Sequence, residues 1–318
     1  MTHAPPNVAA GNRTWAVYGG LLLLCGAVWG GTVTLAQVAV STGVSPLAMT
    51  VWEMFYGTVL LSLACAVTGR WPPVRPFWLM IYVGVGAFGT VVPNLFSYWA
   101  AYHLSGGVMA LILSIIPMVT LLVAVALGRD AFTPARVLGI VLGAAGVVTL
   151  AVPDLLGADQ LLAPGTAVFV LVALVAPFCY AGEANFVSTV VPRDADPLAI
   201  LLGAFAVGLL VCAPLARATG VWSDAAAPWN FGDWQAPEWA LIGLTVGHVV
   251  AYAMYLWVLG RAGAVFSSQV SYVVTFAGVV LSILFLGEPN SIWLWIAFAL
   301  LMAGVTLVRP TERDEARV

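Results

Sequence analysis

The stretch Ser105–Leu127, SGGVMALILSIIPMVTLLVAVAL, carries no charged side chain from its first residue to its last. A helix needs about 20 apolar residues to cross the roughly 30 Å hydrocarbon core of a bilayer. The apolar run is continuous and does not alternate in polarity, so it predicts a membrane-spanning helix and not a strand of a membrane barrel. This stretch alone therefore indicates an integral membrane protein.

The whole chain has the same character. Of its 318 residues, 62% are hydrophobic and only 8% are charged, whereas about a quarter of a soluble domain is charged. The net charge of −3 indicates no nucleic-acid partner. The four cysteines lie within apolar runs and have no metal or disulfide spacing, so the sequence predicts no metal site and no cofactor.

Polar or Pro/Gly-rich breaks divide the sequence into apolar segments that predict ten transmembrane helices. The predicted fold class is an all-α integral membrane protein. The spans are placed at residues 15–39, 47–68, 77–101, 105–127, 134–152, 164–190, 197–218, 237–260, 263–286 and 291–308. The predicted organisation is a cytoplasmic tail (1–14), two five-helix repeats (15–152 and 164–308) and a second cytoplasmic tail (309–318).

The arginines predict the orientation of these spans. All 11 basic residues are arginines, and with ten spans and a cytoplasmic N-terminus only Arg217 falls in an outer loop. Positive residues concentrate on the cytoplasmic side of membrane proteins. The sequence therefore predicts a multi-pass protein of the bacterial inner membrane with both termini in the cytoplasm. The first apolar run is too long for a signal-peptide core, so it is interpreted as a span.

The two halves of the chain resemble each other at low identity. Residues 97–100 (SYWA) correspond to 255–258 (YLWV), and two glycines follow at spacings equal within one residue, Gly128 and Gly146 in one half and Gly287 and Gly304 in the other. Because each half has five spans, the second half is predicted to be inverted in the membrane. Inverted repeats are typical of secondary transporters, which build two alternative openings around one site at the midplane.

These motifs resemble those of EamA-type members of the drug/metabolite transporter superfamily. The residues that carry the resemblance are Trp29-Gly30, Pro46, Tyr98-Trp99-Ala100, Pro117 and Gly287-Glu288-Pro289. It covers about residues 15–308 and implies two five-helix repeats and transport. The chain departs from the family pattern at Glu53, where an arginine is common, and at Gly128-Arg129, where a Gly-Glu pair is common. The resemblance therefore does not imply a substrate.

Glu53 and Glu183 are the two acidic residues that lie well inside predicted spans. An ionisable group there costs about 2.5–3.5 kcal/mol on insertion scales, so it usually faces a partner or a wet cavity. Each is interpreted either as a cation or proton site or as a structural hydrogen bond between helices. Tyr180 and Tyr56 lie three residues from Glu183 and Glu53 and share their helical faces. A carboxylate beside aromatic faces suits an organic cation, although an aromatic packing seam is the alternative.

Polar stripes on two further spans complete the candidate site. Asn94 and Tyr98 lie four residues apart, and His248 heads a stripe on the eighth span. The predicted substrate-binding residues are Trp29, Glu53, Tyr56, Asn94, Tyr98, Tyr180, Glu183, His248, Tyr252, Tyr255, Gln269 and Tyr272. Proton coupling is predicted for Glu183, Glu53 or His248, since imidazole titrates near neutral pH. A buried histidine with satisfied hydrogen bonds is the alternative for His248.

The sequence thus predicts a secondary active transporter that works by alternating access and exports small metabolites such as amino acids, amines or other cationic or aromatic compounds. An uptake or facilitative carrier for a quaternary amine or nucleobase is the alternative. A passive channel and an intramembrane enzyme are disfavoured, and no H-E-x-x-H, G-x-S-x-G or Walker A motif occurs. The expected partners are a small-molecule substrate and the lipid bilayer, and the sequence leaves monomer and homodimer open.

Overall fold

The computed structural model describes residues 8–41, 43–156, 165–192, 194–221, 234–268, 270–288 and 291–308. All regular secondary structure in these ranges is helical, which confirms the all-α prediction. The helices are α1 (Val8–Val40), α2 (Pro46–Thr68), α3 (Pro76–Val85), α4 (Val92–Ala101), α5 (Gly106–Leu113), α6 (Ile116–Ala126), α7 (Pro134–Leu156), α8 (Val168–Val190), α9 (Pro197–Ala218), α10 (Ala236–Ser268), α11 (Val270–Leu286) and α12 (Ile292–Leu307).

Seven helical segments within the described ranges are long and apolar enough to cross a membrane. They are Val17–Val40, Pro46–Thr68, Pro76–Ala101, Gly106–Ala126, Val168–Val190, Pro197–Ala218 and Ala236–Leu259. Three shorter apolar helices lie at Pro134–Leu150, Val270–Leu286 and Ile292–Leu307. The chain is therefore a multi-pass membrane protein, and ten crossings stay a prediction.

Several predicted boundaries differ from the structure. Helix α7 extends to Leu156, beyond the predicted end at residue 152, and α8 begins at Val168 instead of residue 164. Helix α1 begins at Val8, so residues 8–14 of the predicted N-terminal tail are helical. The break predicted between residues 260 and 263 is wrong, since α10 continues to Ser268. The predicted break contains Arg261, whose charge interrupts the apolar run. Arginine retains its backbone N–H, unlike proline, and is a good helix former, so the helical hydrogen bonds can continue through it.

Prolines interrupt two of the spans next to the centre of the fold. The segment Gly86–Val91, between α3 and α4, is one turn of π-helix that precedes Pro93. Proline lacks a backbone N–H and its ring crowds the carbonyl four residues earlier, and a wider turn relieves this conflict. Helices α5 and α6 are separated at Ser114–Ile115, and Pro117 lies in the first turn of α6.

The two halves pack against each other along their helices. Helix α1 contacts α10 and α11, α2 contacts α9, α4 contacts α8, and α7 contacts α12. Small residues permit close approach at these contacts. A Cβ on Gly30 would lie 2.8 Å from the backbone nitrogen of Gly278, and one on Gly139 would lie 2.6 Å from the carbonyl oxygen of Gly304. The halves therefore enclose the centre of the molecule together.

Candidate functional site

A cavity of about 220 Å³ lies between the two halves. Its walls come from α1, the π-helical turn, α4, α5 and α6 of the first half and from α8, α10 and α11 of the second. Pockets for drug-sized ligands usually measure about 300–1,000 Å³. The cavity therefore has the size for a compact organic molecule.

Most of the side chains predicted to bind a substrate line this cavity. They are Trp29, Asn94, Tyr98, Tyr180, Glu183, His248, Tyr252 and Tyr255. Glu53, Tyr56 and Tyr272 do not line it, and Gln269 lies outside the described residues. The fold thus brings together residues from α1, α4, α8 and α10, and their contact with a substrate stays a prediction.

Glu183 on α8 lines the cavity and has a buried carboxylate oxygen without a partner among the described residues. Its side chain is 7% exposed, and its Oε1 atom has no hydrogen-bond partner among the described residues. The same holds for the hydroxyl of Tyr252 on α10, which is 3% exposed. A buried polar atom without a partner costs about 1–3 kcal/mol. A polar group of a ligand, or a proton, would therefore gain the most binding free energy beside these two oxygens.

The π-helical turn supplies the space for these two oxygens. A Cβ on Gly89 would lie 2.5 Å from Glu183 Oε1 and 2.6 Å from the Tyr252 hydroxyl. On the same turn, a Cβ on Gly86 would lie 2.9 Å from the carbonyl oxygen of Ala204. Single π-helical turns are frequent at functional sites. Here the turn, through its two glycines, lets backbone from the first half approach α8, α9 and α10.

Aromatic rings form one wall of the cavity around Trp29. The centroid of this ring lies 5.5 Å from that of Tyr255, 5.8 Å from that of Tyr252 and 6.3 Å from that of His248. The rings are tilted relative to each other, which is the usual geometry of aromatic pairs. Ring faces attract a cation within about 6 Å. This wall and the Glu183 carboxylate are therefore suited to the same positively charged ligand.

Apolar side chains form much of the remaining wall. They come from Met109, Leu113, Ile116 and Val274 on α5, α6 and α11. Such a wall excludes water and favours the carbon skeleton of a ligand. The cavity is therefore amphipathic, with an acidic, aromatic part and an apolar part.

Glu53 on α2 is in a different state from Glu183. Its side chain is fully buried, and its Oε2 atom accepts hydrogen bonds from Asn94 Nδ2 at 2.6 Å and from the Tyr98 hydroxyl. Its Oε1 atom lies 2.6 Å from His248 Nδ1. These contacts correspond to the structural alternative for Glu53, since the carboxylate joins α2 to α4 and α10 behind the cavity wall.

Tyr56 and Tyr272 take part in packing. Tyr56 lies beside Trp52 and Phe55, with ring centroids 6.2 and 5.4 Å away, and Tyr272 packs against a large apolar cluster. Tyr56 lies three residues after Glu53, so the two side chains point in directions about 60° apart around the helix. Because of this difference in direction, Glu53 contacts α4 and α10 while Tyr56 packs beside Trp52.

Several polar residues of the cavity were not predicted from the sequence. They are Thr32, Gln37, Ser97, Thr120, Ser271 and Thr275. Gln37 is an amide inside an apolar span, and the same signal that selected Asn94 would have found it. Its Nε2 atom donates to the carbonyl oxygen of Leu104 at 2.9 Å. Thr32 and Thr120 donate to carbonyls of their own helices, which is common for threonine and gives no functional signal.

Comparison with known proteins gives one family and one fold. The family model described as the EamA-like transporter family matches residues 17–152 and, a second time, residues 168–309. A solved crystal structure superposes on 92% of this chain and 96% of its own chain, with a TM-score of 0.62 and 19% sequence identity. At this identity the likeness shows the fold alone. No curated protein matches the chain significantly.

Proposed function

Because the chain belongs to the EamA-like transporter family, we propose that it is a secondary active transporter that carries a compact organic cation through its central cavity by alternating access. The observation that carries this proposal is the pair of unpartnered oxygens, Glu183 Oε1 and the Tyr252 hydroxyl, in a cavity with an aromatic wall. Both oxygens can accept a hydrogen bond from an ammonium group.

The charge of Glu183 favours a cation over a neutral or anionic ligand. An ionisable side chain costs about 2.5–3.5 kcal/mol in the interior of a membrane on insertion scales, and an opposite charge at close range offsets part of this cost. Trp29 and Tyr255 add ring faces for the same cation. The apolar wall of α5, α6 and α11 suits the hydrocarbon part of an amine.

A proton is the second positive charge that Glu183 can hold. If the carboxyl group carries either a proton or the organic cation, but not both, each one displaces the other. Export of the cation in exchange for an incoming proton follows from this competition. Glu183 is the proton-coupling residue in this proposal, and the direction of net transport is outward.

The proposal includes ten spans in two oppositely oriented five-helix repeats, with both termini in the cytoplasm of a bacterium. The two separate matches of the family model support the repeat. The arginine distribution supports the orientation, because Arg217 is the single basic residue that this topology places outside.

Transport by proteoliposomes containing the purified protein tests the proposal, with 2-phenylethylamine as the probe. We expect saturable uptake, counterflow and accumulation driven by a proton gradient. The uncharged analogue 2-phenylethanol and the anion phenylacetate should not compete with the probe. Glu183→Gln should lower the transport rate about tenfold or more, since a hydrogen bond to a charged group contributes about 1.5–3 kcal/mol.

The control variant is Asp194→Asn, which also removes one carboxylate. Asp194 is exposed and does not line the cavity, so this variant should transport at the wild-type rate. Equal rates for Glu183→Gln and the wild type over the whole pH range would contradict the proposal. Uptake without counterflow would indicate a channel, and equilibration without accumulation would indicate a facilitative carrier.

A further inference from the structure

We propose that Glu53 is a positioning residue, whose carboxylate holds the imidazole of His248 in one tautomer and one orientation so that its Nε2 atom serves the cavity. Glu53 itself is fully buried and does not line the cavity, whereas His248 does. A ligand would have to displace Asn94, Tyr98 or His248 to reach this carboxylate. Glu53 therefore acts through these neighbours and not by contact with a substrate.

The hydrogen bonds of Glu53 define which atom of His248 carries the proton. An ionised carboxylate accepts hydrogen bonds and donates none. In this form, which accepts from both Asn94 Nδ2 and the Tyr98 hydroxyl, the contact of 2.6 Å between Glu53 Oε1 and His248 Nδ1 requires a proton on Nδ1. In the neutral ring this leaves Nε2 as an acceptor on a residue that lines the cavity.

The rings around His248 restrain its orientation further. Its ring is nearly parallel to that of Tyr252, at 17° and 5.8 Å between centroids, and the edge-on ring of Phe205 lies 6.1 Å away. Trp29 lies at 6.3 Å on the cavity wall. The titratable groups around His248 include Glu53 from α2, which contacts its ring, Tyr98 from α4, which binds the same carboxylate, and Tyr252 from its own helix, whose ring stacks on it. Among them, Glu53 is the one that contacts a ring nitrogen.

The same carboxylate also orients the amide of Asn94. Because Asn94 Nδ2 donates to Glu53, its Oδ1 atom is left to accept from the hydroxyl of Tyr180 at 3.4 Å. Tyr180 lies one turn before Glu183 on α8. Glu53 thus holds polar groups from α4 and α10 in fixed positions on the wall of the cavity that Glu183 also lines. Partners that orient a binding histidine typically contribute 10–100-fold in affinity at metal sites, and we expect a similar role here.

Nitrogen NMR of the full-length protein labelled with ¹⁵N-histidine tests this inference without any transport measurement. The chain has three histidines, and His248→Gln assigns the signals of His248. At a pH where the ring is neutral, we expect the wild type to show a protonated Nδ1 and an unprotonated Nε2. In Glu53→Gln the preference for this tautomer should be lost, because an amide can turn its NH₂ group toward the ring. A wild-type ring protonated on Nε2 would overturn the inference, even if Glu53→Gln did not fold.

Two further variants separate the role of Glu53 from general damage to the site. Tyr98→Phe removes a donor to the other carboxylate oxygen, and Glu183→Gln changes the cavity without touching the Glu53–His248 pair. Both should retain the wild-type tautomer of His248. Loss of that tautomer in Glu183→Gln to the same extent as in Glu53→Gln would overturn the assignment to Glu53.

The consequence for transport rests on the proposed function. In proteoliposomes, Glu53→Gln should raise the KM for 2-phenylethylamine about tenfold with a smaller change in kcat, and Glu53→Asp should recover part of the loss. If the wild type did not transport the probe, the proposed function would fail while the NMR result still decided the role of Glu53. An unchanged KM in Glu53→Gln, beside a transporting wild type, would contradict the positioning role.

Discussion

Glu183 on α8 and Tyr252 on α10 direct their terminal oxygens at the same point of the π-helical turn, and neither oxygen has a hydrogen-bond partner among the described residues. Glu53, in contrast, has hydrogen-bond partners at both carboxylate oxygens. The two acids of the membrane interior are therefore not equivalent. Glu183 has an oxygen that can still bind a ligand or a proton, whereas the oxygens of Glu53 already have partners within the protein.

Gly89→Ala should disturb this arrangement directly. The added Cβ would lie 2.5 Å from Glu183 Oε1 and 2.6 Å from the Tyr252 hydroxyl, so both side chains would have to move. Overpacking of this kind costs about 1–3 kcal/mol. We expect a lower unfolding temperature and weaker binding of 2-phenylethylamine in a thermal-shift titration. Gly182→Ala is the control, since a Cβ there meets no atom within 4 Å, and equal behaviour of the two variants would refute this account of Gly89.

The affinity for 2-phenylethylamine should fall as pH falls, and Glu183→Gln should abolish this dependence. Protonation neutralises the carboxylate that attracts the ammonium group, so protons and the amine compete. Binding isotherms over a pH series measure the effect. Other titratable groups near Glu183 are Tyr252 and Tyr255 from α10 and Tyr180 from α8. A pH dependence that persists in Glu183→Gln would instead assign it to the Glu53–His248 pair.

Much of the fold could be predicted from the sequence because a bilayer restricts a spanning segment so strongly. Long apolar runs with polar ends determined the helices, and α2 and α9 begin within one residue of their predicted starts, at Pro46 and Pro197. The end of α10 at Ser268 could not be predicted, because the charge of Arg261 interrupts the apolar run, although arginine retains its backbone N–H and is a good helix former. The π-helical turn could not be predicted, because the spacing of apolar residues along the sequence does not distinguish a wider helical turn from a regular one.

The residues that line the cavity could be predicted in part from the sequence, but the contacts of each residue could not. Rare polar residues in apolar spans selected Asn94, Glu183 and His248, all of which line the cavity. Sequence spacing could not show that Glu53 is enclosed by donors from two other helices, because these partners lie 41–195 residues away along the chain. The contribution of the π-helical turn to the site likewise appears only in three dimensions.

Glu288 should contribute to stability through the first turn of α5. Its Oε1 and Oε2 atoms accept from the backbone N–H groups of Gly106 and Gly107 at 2.6 and 2.9 Å, which joins the segment after α11 to the start of α5. Carboxylates at helix N-termini satisfy free N–H groups and interact with the helix dipole, and loss of such a cap costs about 0.5–2 kcal/mol. We expect Glu288→Ala to lower the unfolding temperature measurably.

A matched carboxylate provides the control for Glu288. Glu238 in the first turn of α10 accepts from the backbone N–H of Gln235 at 2.8 Å in an exposed position. Because solvent screens exposed charges, Glu238→Ala should have the smaller effect. The cap at α5 would be of no importance if the two variants had the same unfolding temperature.

The proposed inverted orientation of the two halves predicts opposite locations for two corresponding loops. Ser41 follows α1 and Asp194 follows α8, the first predicted span of each half, and both residues are exposed. A membrane-impermeant thiol reagent added to intact cells should label Ser41→Cys, whereas Asp194→Cys should react only after permeabilisation. The wild-type chain provides the background, since its four cysteines are buried and should remain unlabelled. A chain whose halves had the same orientation would label both variants from one side, because each loop would then follow a helix that crosses in the same direction.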